Sequence, residues 1–179
     1  MEQLFAPWRI EWVRRREPDD DIECIFCHFW EREADREHLV VARGEHAYVM
    51  LNNYPYNPGH LMVVPVSHTG HFADLSSRYV TAIGMMTQHA LRALESSYHP
   101  DGFNVGYNLG GAAAGGSISD HVHQHIVPRW SGDTNFMPIL DETKVIVEGI
   151  DATYDQLHEA FAALPGGEVI DGDTAVELR

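Results

Sequence analysis

The 179-residue sequence predicts one domain of mixed strand and helix, and three observations carry that prediction. Short apolar runs such as Leu61-Met62-Val63-Val64-Pro65 are bounded by proline, glycine and asparagine, the pattern of strands between turns. One long stretch, from Ser76 to Pro100, repeats its apolar residues at three- and four-residue spacing. In Ser119-Asp120-His121-Val122-His123-Gln124-His125-Ile126-Val127, histidine stands at every second of five positions, so a strand there lines up three imidazoles on one face.

Taken in order, residues 1–21 read as an arm that packs Trp8 and Trp12 and crosses the surface with Asp19-Asp20-Asp21. Cys24 to Trp30 is a knuckle running into a short helix through Ala34. A strand begins near Leu39-Val40-Val41 and the next covers His46 to Asn52. Tyr54-Pro55-Tyr56-Asn57-Pro58-Gly59 is a turn, since two prolines and a glycine do not sit inside a central strand. Leu61 to Pro65 then returns as a strand buried on both faces. Ser76 or Ser77 caps the long helix, which carries Val80, Ile83, Met86, Thr87, Ala90, Leu91 and Leu94 and ends before Pro100. Phe103, Val105, Tyr107 and Leu109 alternate with Asn104, Gly106 and Asn108 in a strand leading into Gly110-Gly111-Ala112-Ala113-Ala114-Gly115-Gly116-Ser117. The histidine strand follows, with Val122 and Ile126 turned to the core. Ser131 to Phe136 is a polar loop, and Lys144-Val145-Ile146-Val147 a short edge strand or helix start. Residues 151–164 form a last helix with Leu157, Phe161 and Leu164 apolar, and Pro165 to Arg179 an acidic tail expected to be mobile.

Composition narrows the function classes. A hydrophobic share of 44% is ordinary for a globular domain. No run is long enough to span a bilayer and the mixed start from Met1 to Arg9 is not a signal peptide, so a cytoplasmic protein with no membrane attachment is expected. A formal charge of −15 argues against a nucleic-acid binder, which needs a basic face to displace counterions. It leaves room for a polyphosphate held by local amides and histidines. The two cysteines, Cys24 and Cys27, read as half a zinc site or a redox pair.

Three imidazoles in a row can bind metal or anion, or act as nucleophile and proton carrier. A cupin-type metal site needs a glutamate soon after the row, and Gln124 to Arg129 contains none. A metallo-β-lactamase-like site wants an aspartate inside it, where Val122 and Gln124 stand. A tetrahedral zinc on Cys24 and Cys27 needs two further ligands from among His28, His68, His71 and the row. His68 comes beside the row if its strand pairs with the histidine strand, and His121, at the row's start, is the natural fourth ligand. That leaves His123 and His125 for chemistry. The Gly115-Gly116-Ser117 loop offers amides and a hydroxyl to phosphate oxygens, and Asn108 reaches toward the same place.

At this point His121-Val122-His123-Gln124-His125-Ile126-Val127 resembles the histidine triad (HIT) signature, His-φ-His-φ-His-φ-φ with φ hydrophobic. Gln124 departs at one φ position, so that face is expected to be less buried than usual. Asn52 before the turn, Pro58-Gly59-His60, Pro65-x-x-His68 and Gly116-Ser117 also look like the family, and the resemblance covers residues 22–137. It implies an α+β fold, an antiparallel sheet of about five strands with one long helix, in a domain spanning 22–150, followed by a C-terminal helix and tail over 151–179. It also implies a homodimer whose two sheets join, and nucleotide transfer or hydrolysis. By position His123 looks like the nucleophile that forms a nucleotidyl-histidine, and His125 like the phosphate contact and proton handler. Asn52 looks like a ribose contact, and His60, Asn108, Gly115, Gly116 and Ser117 like further nucleotide and phosphate contacts. Structural zinc would lie on Cys24, Cys27, His68 and His121, and magnesium would accompany the nucleotide.

The branch is read from smaller signs. Fragile histidine triad hydrolases and Hint-type phosphoramidases place a glutamine after the loop glycine, where Ser117 stands here. The opening Ala6-Pro7-Trp8-Arg9, the run from Tyr54 to Pro65 and Pro128-Arg129-Trp130-x-Gly132-Asp133-x-Asn135-Phe136 look instead like bacterial diadenosine tetraphosphate phosphorylases, also called ATP adenylyltransferase-like proteins. That resemblance implies inorganic phosphate as acceptor; hydrolysis to AMP is the alternative. A regulatory module without catalysis and a zinc-stabilised interaction domain stand as other classes.

Overall fold

The computed structural model describes residues 22–32, 34–114, 118–133 and 148–179. The N-terminal arm, Gly115, Gly116 and Ser117, and the loop and edge-strand expectations within 134–147 lie outside those residues. A short helix α1 (Ile25–Glu31) follows Cys24, and β1 (Val40–Arg43), β2 (Ala47–Leu51) and β3 (Leu61–Pro65) come next. Helix α2 (Ser77–Tyr98) ends at His99, which takes a left-handed conformation, φ 46°, one residue before Pro100. Strands β4 (Gly102–Tyr107) and β5 (Gln124–Arg129), helix α3 (Ile150–Ala162) and two short strands, β6 (Gly167–Glu168) and β7 (Val176–Leu178), complete the order.

The sheet runs β4-β5-β3-β2-β1-β7-β6. The five expected strands form one antiparallel block from β4 to β1. The tail, expected to be mobile, instead extends that block: β7 lies parallel to β1, pairing Ala42 with Val176, and β6 returns antiparallel to β7. What anchors it is remote in sequence. One carboxylate oxygen of buried Asp35 accepts the Ala175 N–H at 2.9 Å, while the other holds the Arg43 guanidinium. Arg43 in turn donates to the carbonyls of Phe29, Trp30 and Arg32, satisfying the orphan acceptors at the end of α1. One ion pair thus ties knuckle, sheet and tail together.

Alternation sorts the strands onto two faces. Val49, Leu51, Leu61, Val63 and Ile126 pack with Ile83, Met86, Ala90, Ala93 and Leu94 of α2 and with Tyr154, Leu157 and Phe161 of α3. On the opposite face Tyr48, Met50, Met62 and Val64 cluster with Phe26 of α1 and Cys24. Every described metal-ligating and histidine candidate of the row meets the sheet on this second face or at its margin.

Gln124 does not loosen the helix-side face. It is buried, its amide oxygen accepts the Thr87 hydroxyl of α2 at 2.5 Å, and its NH2 donates to the Tyr107 hydroxyl of β4 at 2.9 Å. A buried amide is tolerable when both ends are satisfied, and costly when one partner is deleted. Gln124→Ala should therefore lower stability by about 2 kcal/mol in urea unfolding. The double change Gln124→Leu with Thr87→Val should recover part of that loss, because it removes the Thr87 hydroxyl together with its acceptor and leaves only the half-buried Tyr107 hydroxyl without its bond.

Candidate active site and metal cluster

Only His125 of the histidine row lies within a regular strand; β5 starts at Gln124, and His121 and His123 occupy the irregular segment before it. What holds that segment is the loop after β3, whose Thr69 carbonyl accepts the Val122 N–H at 2.7 Å. The loop and the row approach so closely that a Cβ on Gly70 would sit 2.2 Å from the Ser119 carbonyl oxygen. Glycine is required there by contact, not by its dihedral angles.

His121 faces the knuckle. Its Nε2–H donates to the Pro65 carbonyl at 2.8 Å, which leaves Nδ1 unprotonated and aimed at sulfur, 3.3 Å from Cys24 Sγ and 3.7 Å from Cys27 Sγ. His68 Nδ1 lies 3.3 Å from Cys27 Sγ, and the four donor atoms all fall within 4.8 Å of one another. In a tetrahedron with metal–sulfur bonds of about 2.3 Å and metal–nitrogen bonds of about 2.0–2.1 Å, sulfur and nitrogen stand roughly 3.5 Å apart. The donor set therefore fits a tetrahedral dication, with the Pro65 carbonyl as the outer partner that fixes the ring. The electrostatics agree. Burial, chiefly, keeps His121 below the ordinary histidine range and so neutral, as a ligand must be. Burial and the adjacent Cys24 push the Cys27 thiol up to about 12, a penalty that a cation between the sulfurs would remove. Neither His28 nor His71 belongs to the cluster.

His123 sits one step further along. It is buried against the Phe26 ring, centroids 5.0 Å apart, and its Nδ1–H donates to the His121 carbonyl at 3.0 Å. That bond assigns the proton to Nδ1 and makes Nε2 the unprotonated, nucleophilic nitrogen. The His125 ring lies 5.0 Å from it. Across the sheet His125 pairs with Met62 of β3 and with Gly106 of β4. No described atom comes within 4 Å of where a Gly106 Cβ would be, so the floor beside the imidazole is open.

His60, at the start of β3, governs His125. The Tyr56 amide can only donate, and it donates to His60 Nδ1 at 3.1 Å. His60 therefore carries its proton on Nε2 and offers it to His125 Nδ1 at 3.0 Å. His125 in turn carries its proton on Nε2. The Tyr56 ring stacks on His60 at 4.9 Å and completes the support. In the sequence His60 reads only as a ligand contact; this hydrogen-bond chain through a backbone amide leaves no local signal there.

Asn52 is buried at the end of β2, its Oδ1 accepting the Tyr54 N–H at 2.9 Å and its Nδ2 facing Met62 Sδ at 3.6 Å. Asn108 lies half-buried one residue past β4, where the chain enters the turn Gly111–Ala114. Gly110 and Gly111 carry φ of 104° and 63°, so this part of the glycine loop does use backbone that other residues rarely adopt.

The HIT domain family matches residues 33–132, more than half of the chain. This chain belongs to the HIT family. A protein of Mycobacterium tuberculosis named AP-4-A phosphorylase is 40% identical over 171 residues, covering 92% of this chain and 87% of its own. Among solved structures, a zinc-bound histidine triad family protein from Mycobacterium smegmatis superposes with a TM-score of 0.63 at 27% identity, over 78% of this chain and 94% of that one. A protein from Sulfolobus tokodaii described as a hypothetical histidine triad nucleotide-binding protein gives 0.62 at 25%, over 77% and 91%. No described helix is long and apolar enough to cross a membrane.

Proposed function

We propose that this HIT-family enzyme of nucleotide chemistry carries out the phosphorolysis of diadenosine tetraphosphate to ATP and ADP through a nucleotidyl-histidine on His123. The observation that carries the chemistry is the 3.0 Å bond from His123 Nδ1 to the His121 carbonyl, which presents Nε2 as nucleophile without a separate base. Nε2 attacks the α-phosphorus, a nitrogen–phosphorus bond forms, and the bridging bond breaks with its electron pair leaving on ATP. The Nε2–H of His125 stabilises charge on the phosphoryl oxygens. Phosphate then attacks the same phosphorus, giving ADP and restoring His123. The choice of substrate and acceptor rests on the relative named AP-4-A phosphorylase and on the shared length of the two chains. Asn52 serves the ribose, and Asn108 with Gly115, Gly116 and Ser117 the phosphates.

Cys24, Cys27, His68 and His121 hold structural zinc in this reading, supported by their spacing and by the zinc-bound relative. A homodimer is part of it too: β4 is an outer strand, and Val105 on it and Leu109 just beyond are exposed.

Product analysis tests the function. Incubated with diadenosine tetraphosphate, the protein should form ATP and ADP, and only with inorganic phosphate present. AMP released without phosphate would overturn the acceptor and make it a hydrolase. No turnover in either condition would overturn catalysis and favour a binding module.

A further inference from the structure

We propose that Asp133 is a positioning residue for this reaction: through Asn57 and Arg129 it locks the turn whose backbone sets the proton positions on His60 and His125. The inference rests on the function proposed above, and it assigns a role to Asp133, Asn57 and Arg129, which lie outside the histidine row and the metal cluster.

The turn between β2 and β3 has little regular structure to hold it, yet it must present the Tyr56 amide to His60 within hydrogen-bond reach. Asn57, one residue on, is buried and does the fastening. Its backbone carbonyl accepts the His60 N–H at 3.1 Å. Its side-chain NH2 spends both hydrogens, on the Pro128 carbonyl at 2.8 Å and on Asp133 Oδ2 at 2.9 Å. Asp133 is held in place by a bidentate pair from Arg129, Nε at 2.6 Å and Nη2 at 2.9 Å, and by the Trp130 N–H at 3.2 Å. Arg129 keeps a third donor for Asn104 Oδ1 at 2.6 Å, so the pair is anchored on β4 as well as β5. These bonds, the Arg129 pair first, hold the Asp133 carboxyl down at about 2, fully ionised under any working condition.

Strand β5 therefore grips the turn at its far end, while His125, on the same strand, receives the turn's output through His60. Gly59, at φ 73°, lets the turn close onto α2, where a Cβ would stand 2.9 Å from Leu94 Cδ2. A small displacement of Asn57 moves the Tyr56 amide off His60 Nδ1, frees that nitrogen to take the proton, and turns the His60–His125 pair over. His125 would then present a bare Nε2 toward phosphate oxygens in place of a donor. Misplacement of this kind by about an ångström costs on the order of 100-fold in rate.

The test compares wild type with Asp133→Asn, a change that keeps size but breaks the charge-assisted bidentate pair. With diadenosine tetraphosphate and phosphate, kcat should fall about 10- to 100-fold while KM stays within about twofold. Long-range nitrogen–proton NMR correlations should show His60 and His125 of the variant losing their single Nε2–H form. An unchanged kcat in a folded variant would overturn the proposal, as would a lower kcat with both tautomers intact, which marks a merely structural role. If Asp133→Asn does not fold, Asn57→Ser leaves the Arg129–Asp133 pair untouched and carries the same expectations. Should wild type turn over no dinucleotide at all, the functional reading fails, but the NMR comparison still decides the positioning.

Discussion

His123→Ala is expected to lower turnover by at least about 10⁴-fold, because it removes the atom to which phosphorus is transferred and no neighbour can stand in for it. His121 has one ring nitrogen bound to the Pro65 carbonyl and the other turned to the cysteines. His125 has its Nδ1 engaged by His60 and its Nε2 protonated, a donor and not a nucleophile. The fold should survive, since His123 stands outside the strand, at a cost of about 2–3 kcal/mol for its local Nδ1 bond and its packing against Phe26. The measurement is rapid quench with radiolabelled diadenosine tetraphosphate. Wild type should accumulate acid-labile, protein-bound nucleotide; the variant should bind nucleotide and show none. Rates near wild type in His123→Ala would end the covalent mechanism, whatever product is formed.

The elements that proved legible in the sequence are those whose signal is local. The run Leu61–Pro65 is apolar at every position because both faces of β3 are covered, by α2 on one side and α1 on the other. Helix α2 showed its buried stripe at Ile83, Met86, Ala90 and Leu94 through spacing alone. Cys24, Cys27, His68 and His121 do converge, as the chemistry of the donor set and the family resemblance required. Three features stayed hidden for one physical reason, which is that their stabilising partners are far away in the chain. β7 is three residues long with no amphipathic pattern worth reading, and it exists because β1 and Asp35, 140 positions earlier, accept it. Gln124 looked like a gap in an apolar face until Thr87 and Tyr107 satisfied it. The fastening of the Tyr54–His60 turn runs through Asn57 to Asp133, 76 positions on, and through a backbone amide, which carries no residue identity at all. What the sequence transmits is the chemistry of side chains, whereas the proton positions of His60, His121 and His123 are set by main-chain groups.

That division bears on the proposed zinc. Removing it should have the largest effect on stability, because the cluster joins Cys24, near the first described residue, to His121, 97 positions later. Fresh protein should contain about one zinc per chain. Stripping it with a strong chelator should cost at least about 3 kcal/mol, lowering Tm by roughly 10 °C. Cys24→Ala and His68→Ala should each lose the metal and show the same drop, and adding zinc should restore only the wild type. The expectation has a mechanical reason. Without a dication nothing draws the two thiols and His121 Nδ1 together, and the start of α1, which carries Phe26 against the His123 ring, is left to apolar packing and to the bond from the Tyr48 hydroxyl to the Phe26 carbonyl. His121 would keep its Pro65 bond but lose the restraint on its other nitrogen, and its carbonyl is what orients His123. The metal's loss should therefore lower turnover as well, even though no step of the transfer passes through it. Zinc content well below stoichiometric in fresh protein, or a Tm unmoved by chelation, would show instead that the four donors hold together without a metal.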